Sequence, residues 1–86
     1  MRDDLDQTMY FNKDSMQQEM GPRDVLRQVY SALEAKGYQP LNQMVGYILS
    51  GDPAYITSYN NARALIKKFD RDQYIEEMLI NYLDER

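Results

Sequence analysis

GYQPLNQMVGYILSGDPAYITSYNNAR, residues 37–63, is an apolar run fenced at both ends by turn chemistry, and it decides how the rest of the chain folds. Gly37 suits the left-handed position that closes a helix, and Pro40 suits the first turn of the next, where its missing N–H is not needed. Gly51 closes that second helix, with Asp52 capping a tight turn that Pro53 begins. The Gly-Asp-Pro sequence lacks the glycines and the Lys-Ser/Thr ending of a phosphate loop, so it reads as a turn. Between these stops, Leu41, Met44, Val45, Ile48 and Leu49 fall on one side of a helix over about Pro40–Ser50, with Tyr47 nearby. Asn42 and Gln43 sit in its first turn, where amides usually satisfy local backbone or a neighbouring loop rather than a ligand.

Upstream, Gly21-Pro22 opens a helix with Asp24 in its first turn, where a carboxylate meets the positive end of the helix dipole. Val25, Leu26, Val29, Tyr30 and Leu33 form one face, and Lys36-Gly37 ends it. Downstream, a third helix over about Asn61–Phe69 turns Ala62, Leu65, Ile66 and Phe69 inward. Its other side carries Arg63, Lys67 and Lys68, with Arg71 four positions beyond Lys67, so a basic row forms if the axis continues. Four of the ten bases of the chain fall between residues 63 and 71, interrupted only by Asp70. A solvated face is the ordinary reading of such a row; the functional one is a surface for an acidic arm, a phosphate or an acidic partner. Asp70 and Gln73 then have the spacing of a capping box. Tyr74, Ile75, Met78, Leu79, Tyr82 and Leu83 mark a fourth amphipathic helix with Glu76, Glu77, Asp84 and Glu85 outside. The expected fold is all-α: a small compact bundle of four to five helices over residues 21–86.

Residues 1–20 differ in kind. They hold five acids against two bases, leaving the other 66 residues with nine against eight, so an acidic arm precedes a nearly neutral body. Their composition, without helical or strand period, predicts a flexible arm. Within it, Thr8 stands after Asp6 and before Met9-Tyr10-Phe11, a hydroxyl with side chains that a kinase can grip; by composition alone it is simply a polar arm residue.

Cys and His are both absent, which removes disulfides, thiol and imidazole chemistry and the usual zinc ligands. The adjacent carboxylates Glu76 and Glu77 splay by about 100° on a helix and do not converge. No catalytic, cofactor or metal site is therefore expected. The eight tyrosines, four of them at 38, 47, 55 and 59, read as core edge and interface filler rather than as a stacking platform for bases. A small helical nucleic-acid-binding module is the alternative reading, opposed by a pI of about 4.6 and the acidic arm. Mean hydropathy of -0.74, no apolar run of about 18 residues and an acidic start lead us to expect a cytoplasmic chain with no membrane insertion. So small a core also predicts a homodimer.

The run from Lys36 through Tyr55 resembles the signature of the IreB/ReoM family of small Gram-positive regulators. Asn61-Ala62-Arg63, the basic helix, Arg71-Asp72 and Glu76-Glu77 fit the same pattern, and Asp6-Gln7-Thr8-Met9 is similar to the family's phosphorylated threonine motif. The resemblance covers essentially the whole chain. It implies a helical homodimer without enzymatic activity, phosphorylated by a PASTA-domain Ser/Thr kinase and reversed by a cognate phosphatase. It further implies control of peptidoglycan synthesis and antibiotic tolerance. In part of the family that control runs through Clp-dependent turnover of the first committed enzyme, which brings in a Clp-protease adaptor as a partner. On this basis Thr8 would be the phosphoacceptor, while the clustering of bases makes Arg63, Lys67, Lys68 and Arg71 the expected partner-binding face. Thr8 is the only threonine before Thr57, and Thr57-Ser58 stand where the family often has Pro and a basic residue.

Overall fold

The computed structural model describes residues 20–84. Four α-helices occur among them, α1 (Pro22–Ala35), α2 (Pro40–Ser50), α3 (Ala62–Ile66) and α4 (Arg71–Asp84), with 3₁₀ turns at Pro53–Tyr55 and Tyr59–Asn61. The all-α expectation holds, and no strand occurs among the described residues.

Helix α1 is the hub, packing against the other three. It starts at Pro22, and the Asp24 carboxylate accepts a hydrogen bond from the Gly21 N–H at 3.1 Å, which satisfies an amide that no helical carbonyl reaches. It ends in a Schellman motif: Gly37 takes φ +84, Tyr38 N–H bonds Leu33 C=O at 3.0 Å and Gly37 N–H bonds Glu34 C=O at 3.0 Å. Its inward face buries Val25, Val29, Ala32 and Leu33. With Tyr47, Ile56, Ala62, Ile66 and Tyr74 these form the core, bordered by half-buried Met20, Leu26, Met44, Ile48, Leu65 and Phe69. Each fully buried Leu or Ile in that group contributes about 1.5–3 kcal/mol.

The 37–63 stretch folds as its punctuation predicts. Gly51 adopts φ +77 and its N–H bonds Tyr47 C=O at 2.7 Å, while Asp52 Oδ1 accepts from Ala54 N–H at 2.9 Å to cap the Pro53 turn. Gln43 reaches across the turn, its Nε2 donating to Tyr55 C=O at 2.9 Å, and Asn42 bonds Gln39. Both first-turn amides thus serve local structure. Gly46 has a packing role: a Cβ there would stand 2.5 Å from Tyr55 Cε1, so the ring lies directly on the α2 backbone. Asn60 and Asn61 take φ +53 and +64 in succession, a left-handed pair that costs up to about 1 kcal/mol per residue even for Asn.

The third helix is shorter than its sequence period suggests. It stops at Ile66, Lys67 caps it, and the chain turns through Phe69 before α4 begins. The restart follows the capping-box spacing, with Gln73 Oε1 accepting from Asp70 N–H at 2.9 Å. Tyr74 holds the joint together. Its hydroxyl donates to Ile66 C=O at 2.8 Å, closing a carbonyl that the last turn of α3 leaves open, and its ring meets Phe69 edge-on at 6.0 Å.

Candidate functional site

The break at Ile66 decides what becomes of the basic row, because Arg63 and Arg71 no longer lie on one axis. Each guanidinium is instead bound to main chain. Arg63 Nε donates to Ile56 C=O at 2.8 Å, and Arg71 Nη1 donates to Ile48 C=O at 2.9 Å, in the last turn of α2. A cation there also faces the negative end of the helix dipole. Gly51 makes room for it: a Cβ would lie 2.9 Å from the Arg71 guanidinium carbon. Arg71 thus joins α4 to α2 over 23 residues of sequence, a role with no local signal. Asp70 and Asp72 flank it along the same cleft. Lys67 and Lys68 sit exposed in the intervening turn, and their side chains form no hydrogen bond or ion pair with described residues. The four predicted residues therefore form a cationic edge of two anchored arginines and two free lysines, rather than a continuous row.

The second feature is an apolar face larger than the fold uses. Of the α2 residues predicted to point inward, Met44 and Ile48 are half-buried, whereas Leu41, Val45 and Leu49 are 66%, 53% and 78% exposed. On α4 only Tyr74 is buried, and Ile75, Met78, Leu79, Tyr82 and Leu83 are all exposed. Both helices rest on α1, and between them lies an almost wholly apolar groove. Leu26 floors it, Met44, Val45, Ile48 and Leu49 wall it from α2, and Met78 from α4. Contiguous apolar surface of this kind marks a contact site with another macromolecule.

Thr8 lies outside the described residues. Among those described, no group of three or more Asp, Glu, His or Cys is placed to hold a metal, and no helix is long and apolar enough to cross a membrane.

The described residues thus form an all-helical body whose exposed features are an apolar groove and a cationic edge. Residues 6–84 match the profile of the IreB regulatory phosphoprotein family, and the chain belongs to that family, a class of regulatory proteins. It is also 50% identical to a UPF0297 protein of Clostridioides difficile strain 630, over 86 residues that span the whole of both chains.

Proposed function

We propose that this chain is a non-enzymatic homodimeric regulator of peptidoglycan synthesis and antibiotic tolerance, switched by phosphorylation of Thr8 by a PASTA-domain Ser/Thr kinase and reset by a cognate phosphatase. Residues 1–20 form the acceptor segment, and residues 21–86 the dimerising and partner-contacting body. The observation that carries the proposal is the family match, which begins at residue 6 and so includes the Asp6-Gln7-Thr8-Met9 motif. The dimer rests on the surplus apolar face of α2 and α4, for which a second copy of the same surface is the self-complementary partner. The output contact lies on the cationic edge. Lys67 and Lys68 with the outward N–H groups of Arg63 and Arg71 receive an acidic surface, such as a Clp-protease adaptor that sets the turnover of the first committed enzyme.

A phosphate on Thr8 adds about -1.5 to -2 charges to a segment already rich in aspartate, and so changes which surfaces it meets. The test treats purified wild type and Thr8→Ala with such a kinase, maps the product by mass spectrometry, and follows the level of the committed enzyme in cells carrying either form. Single phosphorylation of the wild type at Thr8, none in the variant, and different enzyme levels are expected. Equal phosphorylation of both forms, or equal enzyme levels, would remove Thr8 as the switch.

A further inference from the structure

With Arg63 and Arg71 each bound to a backbone carbonyl, the cationic edge is not the only place where a phosphate can be received. A shallow groove between α1 and the Tyr59–Asn61 turn is lined by Arg27, Gln28, Ser31 and Asn60. Each of these side chains carries a hydrogen-bond donor, none carries a negative charge, and all four are exposed. None forms a side-chain hydrogen bond or ion pair with a described residue, so the donors face solvent without internal partners. Asn60 is held at this wall by the left-handed backbone of the turn, itself pinned by Tyr59 N–H to Thr57 Oγ1 at 3.2 Å and Asn61 N–H to Ser58 C=O at 3.1 Å. Beyond the groove, Lys36 Nζ stands 5.2 Å from the centre of the ring of Tyr59, the chain neighbour of Asn60. Glu77 lines the neighbouring cleft that Arg27 shares and accepts from Asn81 Nδ2 at 2.7 Å; on α1 itself Asp24 stands one turn before Arg27 and Gln28 and accepts from Gly21 N–H at 3.1 Å, and Glu34 stands one turn after Ser31.

We propose that this groove is the receptor for phosphorylated Thr8, with the Arg27 guanidinium paired to the phosphate and Gln28, Ser31 and Asn60 donating to its remaining oxygens. The proposal rests on the Thr8 reading above and gives it a landing place on the body. A guanidinium matches phosphate through paired parallel N–H groups, and neutral donors complete the shell without repelling it. Reach is not limiting. Thr8 precedes Met20 by 12 residues, a span of up to about 40 Å when extended, more than the width of a small domain. Being tethered, the phosphate acts at an effective concentration in the millimolar range, so modest intrinsic affinity suffices. The unmodified threonine hydroxyl offers the groove no charge, and the contact therefore appears only after phosphorylation.

The test uses the full chain with phosphothreonine installed at position 8 by synthesis or co-translationally, compared with the unmodified chain by ¹H–¹⁵N NMR. Shifts are expected at Arg27 Nε, the Asn60 and Gln28 side-chain amides and the Ser31 backbone amide, fading as salt rises. They should vanish in Arg27→Ala and in Ser31→Glu, both exposed positions whose spectra elsewhere should overlay the parent. Lys67→Ala with Lys68→Ala should leave them intact. A phosphothreonine peptide of residues 3–13 added in trans should bind Arg27→Ala about five- to tenfold more weakly than the parent. Shifts confined to residues 67 and 68, no shifts at all, or shifts that persist in Arg27→Ala would overturn the proposal. Because the phosphate is installed without a kinase, the groove can pass this test even if no kinase modifies Thr8, and the two readings fail separately.

Discussion

Replacing Tyr74 by Phe keeps the ring and deletes one hydroxyl, and the consequence depends on pH in a way that tests the α3–α4 joint. The ring has no exposed surface, and its hydroxyl donates to Ile66 C=O at 2.8 Å. Leaving that acceptor without its partner costs about 1–2 kcal/mol, a large fraction of what holds a domain of this size. Burial pushes the Tyr74 phenol from 10.0 up to about 12, against a smaller opposing pull from the Phe69 backbone. Folding thus favours the protonated phenol. Its contribution is complete below pH 10 and is lost as pH rises through about 12, a loss on the order of 2 kcal/mol. The Phe variant has no such group to ionise. Urea unfolding followed by circular dichroism should therefore show the variant less stable by about 1–2 kcal/mol at neutral pH, with the gap closing above pH 10 and gone or reversed by about pH 12. A gap that stays constant with pH, or a variant as stable as the parent at pH 7, would refute the buried hydroxyl as the tie between the two helices.

Gly46→Ala should destabilise by about 1 kcal/mol, despite the better helix propensity of Ala, because the new methyl enters the Tyr55 ring. In a Tyr55→Ala background the same change should become stabilising, which a double-mutant cycle of melting curves reads directly. Arg71→Ala should weaken α2 as well as any partner contact: losing the bond to Ile48 C=O costs about 1 kcal/mol, visible as faster hydrogen exchange in the last turn of α2. Unchanged exchange would leave Arg71 with a surface role only. Leu49→Glu, at a position 78% exposed, should convert a dimer to a folded monomer by sedimentation with the helical signal retained. A dimer that survives both this change and Val45→Glu would place the interface elsewhere.

Much of the fold was legible because its signals are local. Pro22, Gly37, Pro40, Gly51 and the Asp70/Gln73 pair act within a few residues of where they stand; α1 and α2 begin and end, and α4 begins, where these residues put them. The α3 boundary was not legible. Ala62, Leu65, Ile66 and Phe69 keep a helical period, yet the helix ends at Ile66, because the Tyr74 hydroxyl and Phe69 ring reward a turn at that point. The basic residues between 63 and 71 were visible as a cluster, but no local pattern says that Arg63 and Arg71 bind carbonyls 7 and 23 residues away. The Arg27 groove left no trace in sequence either, since its walls come from α1 and from a turn some thirty residues later.

The order of residues by itself determined an all-helical body, the places where α1 and α2 start and stop and where α4 starts, and the acidic character of the segment carrying Thr8. These follow from backbone chemistry and charge, which need no distant neighbour. Only the tertiary structure decided how each apolar face is used. Periodicity marks Leu41, Val45, Leu49, Leu79 and Leu83 as core candidates just as it marks Val25 and Leu33. Burial depends on what lies opposite, and α1 has room for only one side of α2 and α4. The remainder stays exposed.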